Sequence, residues 1–473
     1  MTEPRTETEQ AAAAAEQEHY FDPSHLEEEW EAYTEHFYQL LRQGKDAEVA
    51  RIAEELTPGD LSEIIRPLSV EDTARIIQLL PTDVAADVLA EIDERNLPGL
   101  LELLDIEAIA DMVEDMPSDE ATDLIGGLED ARAREILAAM EATERAEVRE
   151  LLQYGPETAG GLMAKEFIAV PVTATCREAV EAVRTLDPDD REQLHFIYVV
   201  DEQGRLVGRI PLVEMLLQPW STPVREVMEP DPLRVRVDLD QEQVVQFVRT
   251  HDLVILPVVD EQDRLVGVIA GDDVLDVMED EATEDISRLA GTSEELGETS
   301  PVRVARARLP WLLGALTGEI ACIFMMQHFQ ASLEQTVALT FFIPSMMAMG
   351  GNTGNQTAYA VVRGLATGEV NLRHLGRHVL RELTTTMLTG SAIAVYLFVI
   401  AMLIVGDLYL AGVLGVSLVA VVLFATLVGS SVPLLLHRVG VDPAIATGPF
   451  ISTSNDFFGV VIYLSIASVM LGR

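Results

Sequence analysis

One acid stands inside the last apolar stretch, residues 443–471: Asp456, at the end of Ile451-Ser452-Thr453-Ser454-Asn455-Asp456. An ionised carboxylate near the centre of a bilayer costs about 2.5–3.5 kcal/mol on insertion scales. Asp456 is therefore a functional candidate by default. Asn455, Thr453, Ser452 and Thr447 surround it in sequence, and a second polar run, Gly350-Gly351-Asn352-Thr353-Gly354-Asn355-Gln356, adds Asn352 and Asn355. Amides at membrane depth survive only beside water or other protein. They suit hydrogen bonds to waters carried by a cation. Mg²⁺ prefers oxygen ligands and gives up its waters reluctantly, so a polar path for a hydrated ion fits it. The competing reading of these Gly and Asn residues is close helix packing.

A second constellation is DDVLDVMEDEATED, Asp272–Asp285, with eight acids in 14 residues. On a helix, Asp273, Asp276, Asp280 and Glu284 share one face, with Asp272 and Glu279 beside it. Like charges at this spacing repel, and divalent cations relieve that. The plainer reading is a solvated helix in a salt-adapted protein: only Lys45 and Lys165 are lysines, and acids far outnumber bases. His374 and His378 form an i,i+4 pair better read as a membrane-surface helix than as a metal site. Glu319 lies in an apolar run and either faces a pore or snorkels to an interface. There is no EF-hand loop, no phosphate loop and no nucleophile–base constellation, so an enzyme is not expected.

The charge distribution shows what must position these residues. Of 473 residues, 79 are Asp or Glu and 32 are Lys or Arg, for a net charge of −47. Residues 310–473 hold six Arg and seven acids, so nearly all of that charge lies before them. Such a surface excludes a general nucleic-acid binder. Two cysteines, Cys176 and Cys322, make no disulfide framework. No cleavable leader is expected from the polar N-terminus. The apolar part reads as five spans, Leu309–Phe329, Val337–Val362, Leu383–Val405, Val413–Leu436 and Pro443–Leu471. Arginines at 303, 306, 308, 363, 373, 377, 381 and 438 flank one side, which places the acidic half in the cytoplasm and the C-terminus outside.

Two patterns organise the acidic half. Apolar residues recur every 12 positions from Leu56 to Leu152, many followed by helix-start signals such as Leu56-Thr57-Pro58-Gly59-Asp60 and Met116-Pro117-Ser118-Asp119. This predicts short helices, capped by Ser or Thr, stacked in a solenoid over 41–157. Residues 1–40 read as a disordered acidic tail. Then VVDEQGRLVG at 199–208 returns as VVDEQDRLVG at 258–267. Each copy is a strand, a hairpin turn and a second strand, with a helix before and after. The pair resembles a tandem of cystathionine-β-synthase (CBS) domains, at 158–220 and 221–280. CBS pairs often bind adenine nucleotides through Ser/Thr-x-x-Asp after the last strand. Here Pro211 and Ala270 take the hydroxyl positions while Glu214 and Asp273 keep the acids, a degraded ATP site.

The order of parts resembles the MgtE family of magnesium channels: an all-α solenoid, an α/β CBS pair, an acidic linking helix over 272–305 and a five-span membrane domain over 306–473. GGNTGNQ at 350–356, Gly440-Val441-Asp442-Pro443, Gly448-Pro449 and Asn455-Asp456 carry the match. The resemblance implies a homodimer in the lipid bilayer with a pore on its two-fold axis. Asp456 would select Mg²⁺, with Asn455, Asn352, Asn355, Thr453 and Gly448 along the path and Asp442 at its mouth. It implies cytosolic Mg²⁺ sensing by Asp272, Asp273, Asp276, Glu279, Asp280 and Glu284, closing the path when filled. A carrier of other divalent cations such as Co²⁺ or Mn²⁺, and a membrane-anchored Mg²⁺ or nucleotide sensor without transport, are the alternatives.

Overall fold

The computed structural model describes residues 23–53, 55–92, 96–185, 194–290, 301–366, 370, 375–439, 441–443 and 449–472. The chain divides into two compact units, Met1–Val274 and Leu275–Arg473.

The first unit begins earlier than expected. Residues Pro23–Arg42 form helix α1, and Phe37, Leu40 and Leu41 are buried in a core shared with Leu61, Ile64 and Ile76. A disordered tail to residue 40 is therefore wrong for this segment: its apolar side chains lie on one face and find neighbours later in the chain. Short helices come next: α2 (Asp46–Ala53), α3 (Pro58–Ile65), α4 (Val70–Ile77), α5 (Thr82–Ala90), α6 (Leu97–Leu101), α7 (Ile106–Asp115), α8 (Ser118–Gly126), α9 (Asp130–Ala139) and α10 (Ala142–Leu151). Helices this short are unstable alone. Their stability comes from apolar pairs 12 residues apart, Ile64-Ile65, Ile76-Ile77, Val88-Leu89, Leu100-Leu101, Met112-Val113, Leu124-Ile125 and Ile136-Leu137, all of them buried. Thr57 and Ser69 cap α3 and α4, each accepting from the backbone N–H three residues on. At α5 and α8 the cap is Pro81 and Pro117 instead, without a side-chain bond. There Thr82, in the start signal Leu80-Pro81-Thr82-Asp83 of the same 12-residue pattern, and the expected cap Ser118 fall one residue inside the helix, because proline takes the extended position before it.

The CBS pair comes after the solenoid. Strands β1 (Ala169–Pro171), β2 (Phe196–Val200), β3 (Leu206–Pro211) and β4 (Glu229–Pro230) make one sheet, with helix α11 (Cys176–Arg184) after β1 and helix α12 (Leu212–Leu216) after β3. Strands β5 (Val235–Arg236), β6 (Ile255–Val259) and β7 (Leu265–Ala270) make the other, with helix α13 (Gln241–His251) after β5 and helix α14 (Gly271–Ala290) after β7. In each, the first pairing is parallel and the second antiparallel. The two hairpin turns are built alike: Arg205 donates to Asp201 and Arg264 to Asp260, both at 2.7 Å. The turns also join each other, since Leu206 N–H donates to the Asp263 carbonyl and Leu265 N–H to the Gly204 carbonyl, both at 3.1 Å.

The second unit is helical: α15 (Pro301–His328), α16 (Gln330–Gln335), α17 (Ala338–Ala366), α18 (Leu375–Val405), α19 (Leu408–Arg438) and α20 (Pro449–Met470). Among the described residues four helices are long and apolar enough to cross a membrane: α15, α18, α19 and the Phe450–Met470 part of α20. The expected second span is α17. It has the length, at 29 residues, but its Gly350–Gln356 run lowers its apolarity. That run does not break the helix, nor does Pro344. Helix α19 lies innermost, against α17, α18 and α20. Close approach there depends on glycine: a Cβ at Gly429 would fall 2.4 Å from the Gly354 carbonyl oxygen. Tyr463 is fully buried and donates to the Leu339 carbonyl at 2.9 Å.

Ile109 is fully buried in the solenoid. Ile109→Ala removes its packing and is expected to destabilise this part by about 2–5 kcal/mol, read as an earlier first transition in denaturant unfolding of the full chain.

Candidate functional site

The polar runs of α17 and α20 face each other. Asn355 donates its amide to Ser452 Oγ at 2.8 Å. Asn455 is 1 % exposed. A Cβ at Gly354 would fall 1.9 Å from Asn455 Nδ2, so only glycine leaves room for that amide. Asp456 is half-buried and looks toward Gly351, whose Cβ position lies 3.8 Å from Asp456 Oδ1. Thr453 packs on the third helix, α15, where a Cβ at Gly318 would fall 1.9 Å from Thr453 Cγ2.

The layer leaves polar atoms without protein partners: Asn355 Oδ1 and both amide atoms of Asn455 are buried and unpaired. Each such group costs about 1–3 kcal/mol unless something else binds it. The layer thus holds donors and acceptors for a guest that the chain does not supply. Asn352 stands apart from it, exposed on another face of α17 together with Gln356. Gly448, expected on the path, and His374 lie outside the described residues.

On α14 the expected acids have different roles. Asp272, Asp276, Glu279 and Asp280 are exposed. Burial and the neighbouring Glu279 carboxylate push the Asp280 pKa up. Asp273 accepts from Ala270 N–H at 3.0 Å and so holds the start of the helix. Further along, Glu284 pairs with Arg288. Arg288 also bridges to Asp442, between α19 and α20, which ties the end of α14 to the connection ahead of Asp456. Glu214, the other expected nucleotide acid, is exposed on α12.

The first unit contains a cluster that the sequence does not single out. Asp119, at the start of α8, is 7 % exposed. Burial and then Glu166 raise its pKa. Burial and then Asp119 raise that of Asp273. Glu120 is pushed up to about 7 by burial, with Asp119, Asp87, Glu91 and Asp272 adding to it. Ser118 fixes the geometry, donating N–H and Oγ–H to Glu166 at 3.1 and 2.9 Å. The only sequence signal was Pro117-Ser118-Asp119, legible as a helix start alone. Among the described residues, no three His, Cys, Asp or Glu converge tightly enough to hold a bare metal ion.

Acid-rich helical repeats, a paired CBS module and apolar helices around a polar layer define a class: a multi-domain membrane protein with a large extramembrane portion. Family models place the chain further. The model described as divalent cation transporter, MgtE, matches residues 343–466. The MgtE intracellular N domain matches 24–108 and 56–157, and the CBS domain 159–217 and 224–280. The magnesium transporter MgtE of Thermus thermophilus is 38 % identical over 445 residues, covering 92 % of this chain and 97 % of that protein. That of Bacillus subtilis is 30 % identical, over 91 % and 96 %. A solved cytosolic domain of the Mg²⁺ channel MgtE in complex with ATP is 34 % identical over 51 % of this chain and 98 % of that one, at a TM-score of 0.49. The chain belongs to the MgtE family.

The acid cluster has a pH signature. Asp119, Glu120 and Asp273 have raised pKa values, so the fold favours their protonated forms. The stability they add is complete below a carboxylate's ordinary value of about 4 and is lost as pH rises through about 7 for Asp119 and Glu120 and about 8 for Asp273. In Mg²⁺-free buffer the melting temperature of the first unit is expected to fall across that window. Asp273→Asn keeps the helix cap and should raise it at pH 8 by about 2–4 °C, measured by scanning fluorimetry at several pH values.

Proposed function

We propose that this chain is a Mg²⁺-selective channel of the cell membrane, closed by cytosolic Mg²⁺. The observation that carries the reading is the layer between α17 and α20: one half-buried carboxylate at membrane depth, Asp456, beside buried amides without partners. A hydrated divalent cation meets both needs. Its charge offsets Asp456, and its waters bond the amide atoms of Asn355 and Asn455. Keeping the waters matters, because Mg²⁺ is costly to dehydrate.

The path is completed by a second copy. Asn352 and Gln356 are exposed in the single chain, yet polar groups at this depth need water or protein beside them. A homodimer whose axis runs past α17 supplies both and sets two Asp456 carboxylates around one path. The flanking arginines support an orientation with the acidic half inside the cell and the C-terminus outside.

Gating arises from crowded acids. Asp119, Glu120, Asp272 and Asp273 repel one another, and the exposed acids of α14 add to the negative field. Mg²⁺ carrying its waters lowers that repulsion without direct chelation. It shifts the equilibrium only by binding the closed arrangement more tightly. The Glu284–Arg288–Asp442 bridge gives α14 a grip on the connection that leads to Asp456. An ATP site has less support, since Pro211 and Ala270 replace the hydroxyls and Asp273 is engaged with Ala270 N–H.

Proteoliposomes loaded with a Mg²⁺ indicator test the reading. The wild type should take up Mg²⁺, and Asp456→Ala should lower uptake at least about tenfold. Normal, selective conduction by that variant would rule out the site. Arg288→Ala should shift inhibition by cytosolic Mg²⁺ to higher concentration in patch recordings. An unchanged closing concentration would remove the bridge from the gate.

A further inference from the structure

We propose that Glu319 is a second carboxylate of the ion path and acts with Asp456 to set the preference for divalent over monovalent cations. This rests on the channel reading above. Glu319 is the one Asp or Glu of α15. Gly318, next to it, packs on Thr453 three residues before Asp456, and the carboxyls of Glu319 and Asp456 are close enough to interact. The side chain is half-buried and turned toward another acid, which is not the posture of a group snorkelling to the membrane surface.

The packing brings the two together. Helix α15 is mostly exposed and docks on α20. Its closest approach is at Gly318, next to Glu319, where any Cβ would collide with Thr453. Cys322, one turn further on, is 1 % exposed. The tightest contact of this helix therefore delivers a carboxylate to Asp456.

Two acids in contact at membrane depth need an opposite charge. The spans contain none: residues 309–362, 383–437 and 449–472 have no Lys or Arg. An independent observation points to a guest in the same layer. Asn455 is almost fully buried beside Asp456 in the chain, and neither of its amide atoms has a protein partner. A hydrated divalent cation neutralises both acids and bonds such amides through its waters. A monovalent ion leaves one negative charge over. In a two-fold dimer the path then carries four carboxylates, which favours doubly charged ions more steeply than two do.

The test compares Mg²⁺ and Na⁺ flux through the full-length protein in proteoliposomes for the wild type, E319Q, E319D and D456A. E319Q keeps size and hydrogen bonding but removes the charge. It should lower the Mg²⁺/Na⁺ permeability ratio about tenfold, with assembly and melting temperature unchanged. E319D keeps the charge and should hold the ratio within about twofold of the wild type. An unchanged ratio in E319Q overturns the proposal, as does equal loss in E319D and E319Q, which would make Glu319 a matter of shape. Failure of E319Q to assemble would mark a structural carboxyl pair sharing a proton, and also overturns it. If the wild type passes Mg²⁺ and D456A does not, any of these outcomes sinks the role of Glu319 alone. If the wild type passes no Mg²⁺, the channel reading falls and takes this proposal with it.

Discussion

A carboxylate inside a membrane must be surrounded by something other than hydrocarbon, and on our proposal the packing of α17, α19 and α20 meets that demand for Asp456. Glycines on α17 let α20 come close enough to bring Asn455 and Asp456 into the interior. Gly429 lets α19 press on α17 from behind. These contacts use the smallest side chains because helices in lipid gain by approach rather than by hiding apolar surface. The resulting layer is short of partners at defined positions, and on our proposal a passing ion repairs that shortage.

The first unit meets the same physics in water. Acids there would ordinarily be dispersed by repulsion, yet α8 and the start of α14 bring Asp119 and Asp273 together. Ser118 ties the start of α8 to Glu166 by hydrogen bonds. The fold thus stores repulsion at one junction between the solenoid and the CBS pair. A cation that relieves it has leverage on how those parts pack, which is the ingredient a sensor needs.

Much of this was legible in the residues, and the misses have identifiable causes. A 12-residue period survives in sequence because each short helix must present an apolar pair to its neighbours, so the solenoid could be read. The duplicated hairpin could be read because both copies keep the same turn chemistry. Thr82 and Ser118 missed as caps because proline before them took the cap position. The segment around Phe37 looked unstructured because its burial partners lie later in the chain. Helix α17, the expected second span, lacks a stretch as apolar as those of the other long helices because it contains the polar Gly350–Gln356 run. The contacts of Asp119 with Asp273, of Arg288 with Asp442 and of Glu319 with Asp456 each join residues more than a hundred positions apart. No local spacing encodes them.

The paired hairpin turns of the CBS module have a consequence of another kind. Each turn donates one N–H and accepts one, so the contact is its own mirror partner: Leu206 to Asp263 and Leu265 to Gly204. Two separate copies of a single half could meet through that same exchange. The joint between the halves therefore uses the same two turn positions twice, which leaves the rest of each half free to differ. Gly208 and Gly267 show the divergence: each lies against a methionine, but Met228 serves the first and Met163 the second. The first half is sealed by a residue C-terminal to its own hairpin, the second by a residue N-terminal to both hairpins. One symmetry is carried by two differently wired halves, and the second continues into the acidic helix α14.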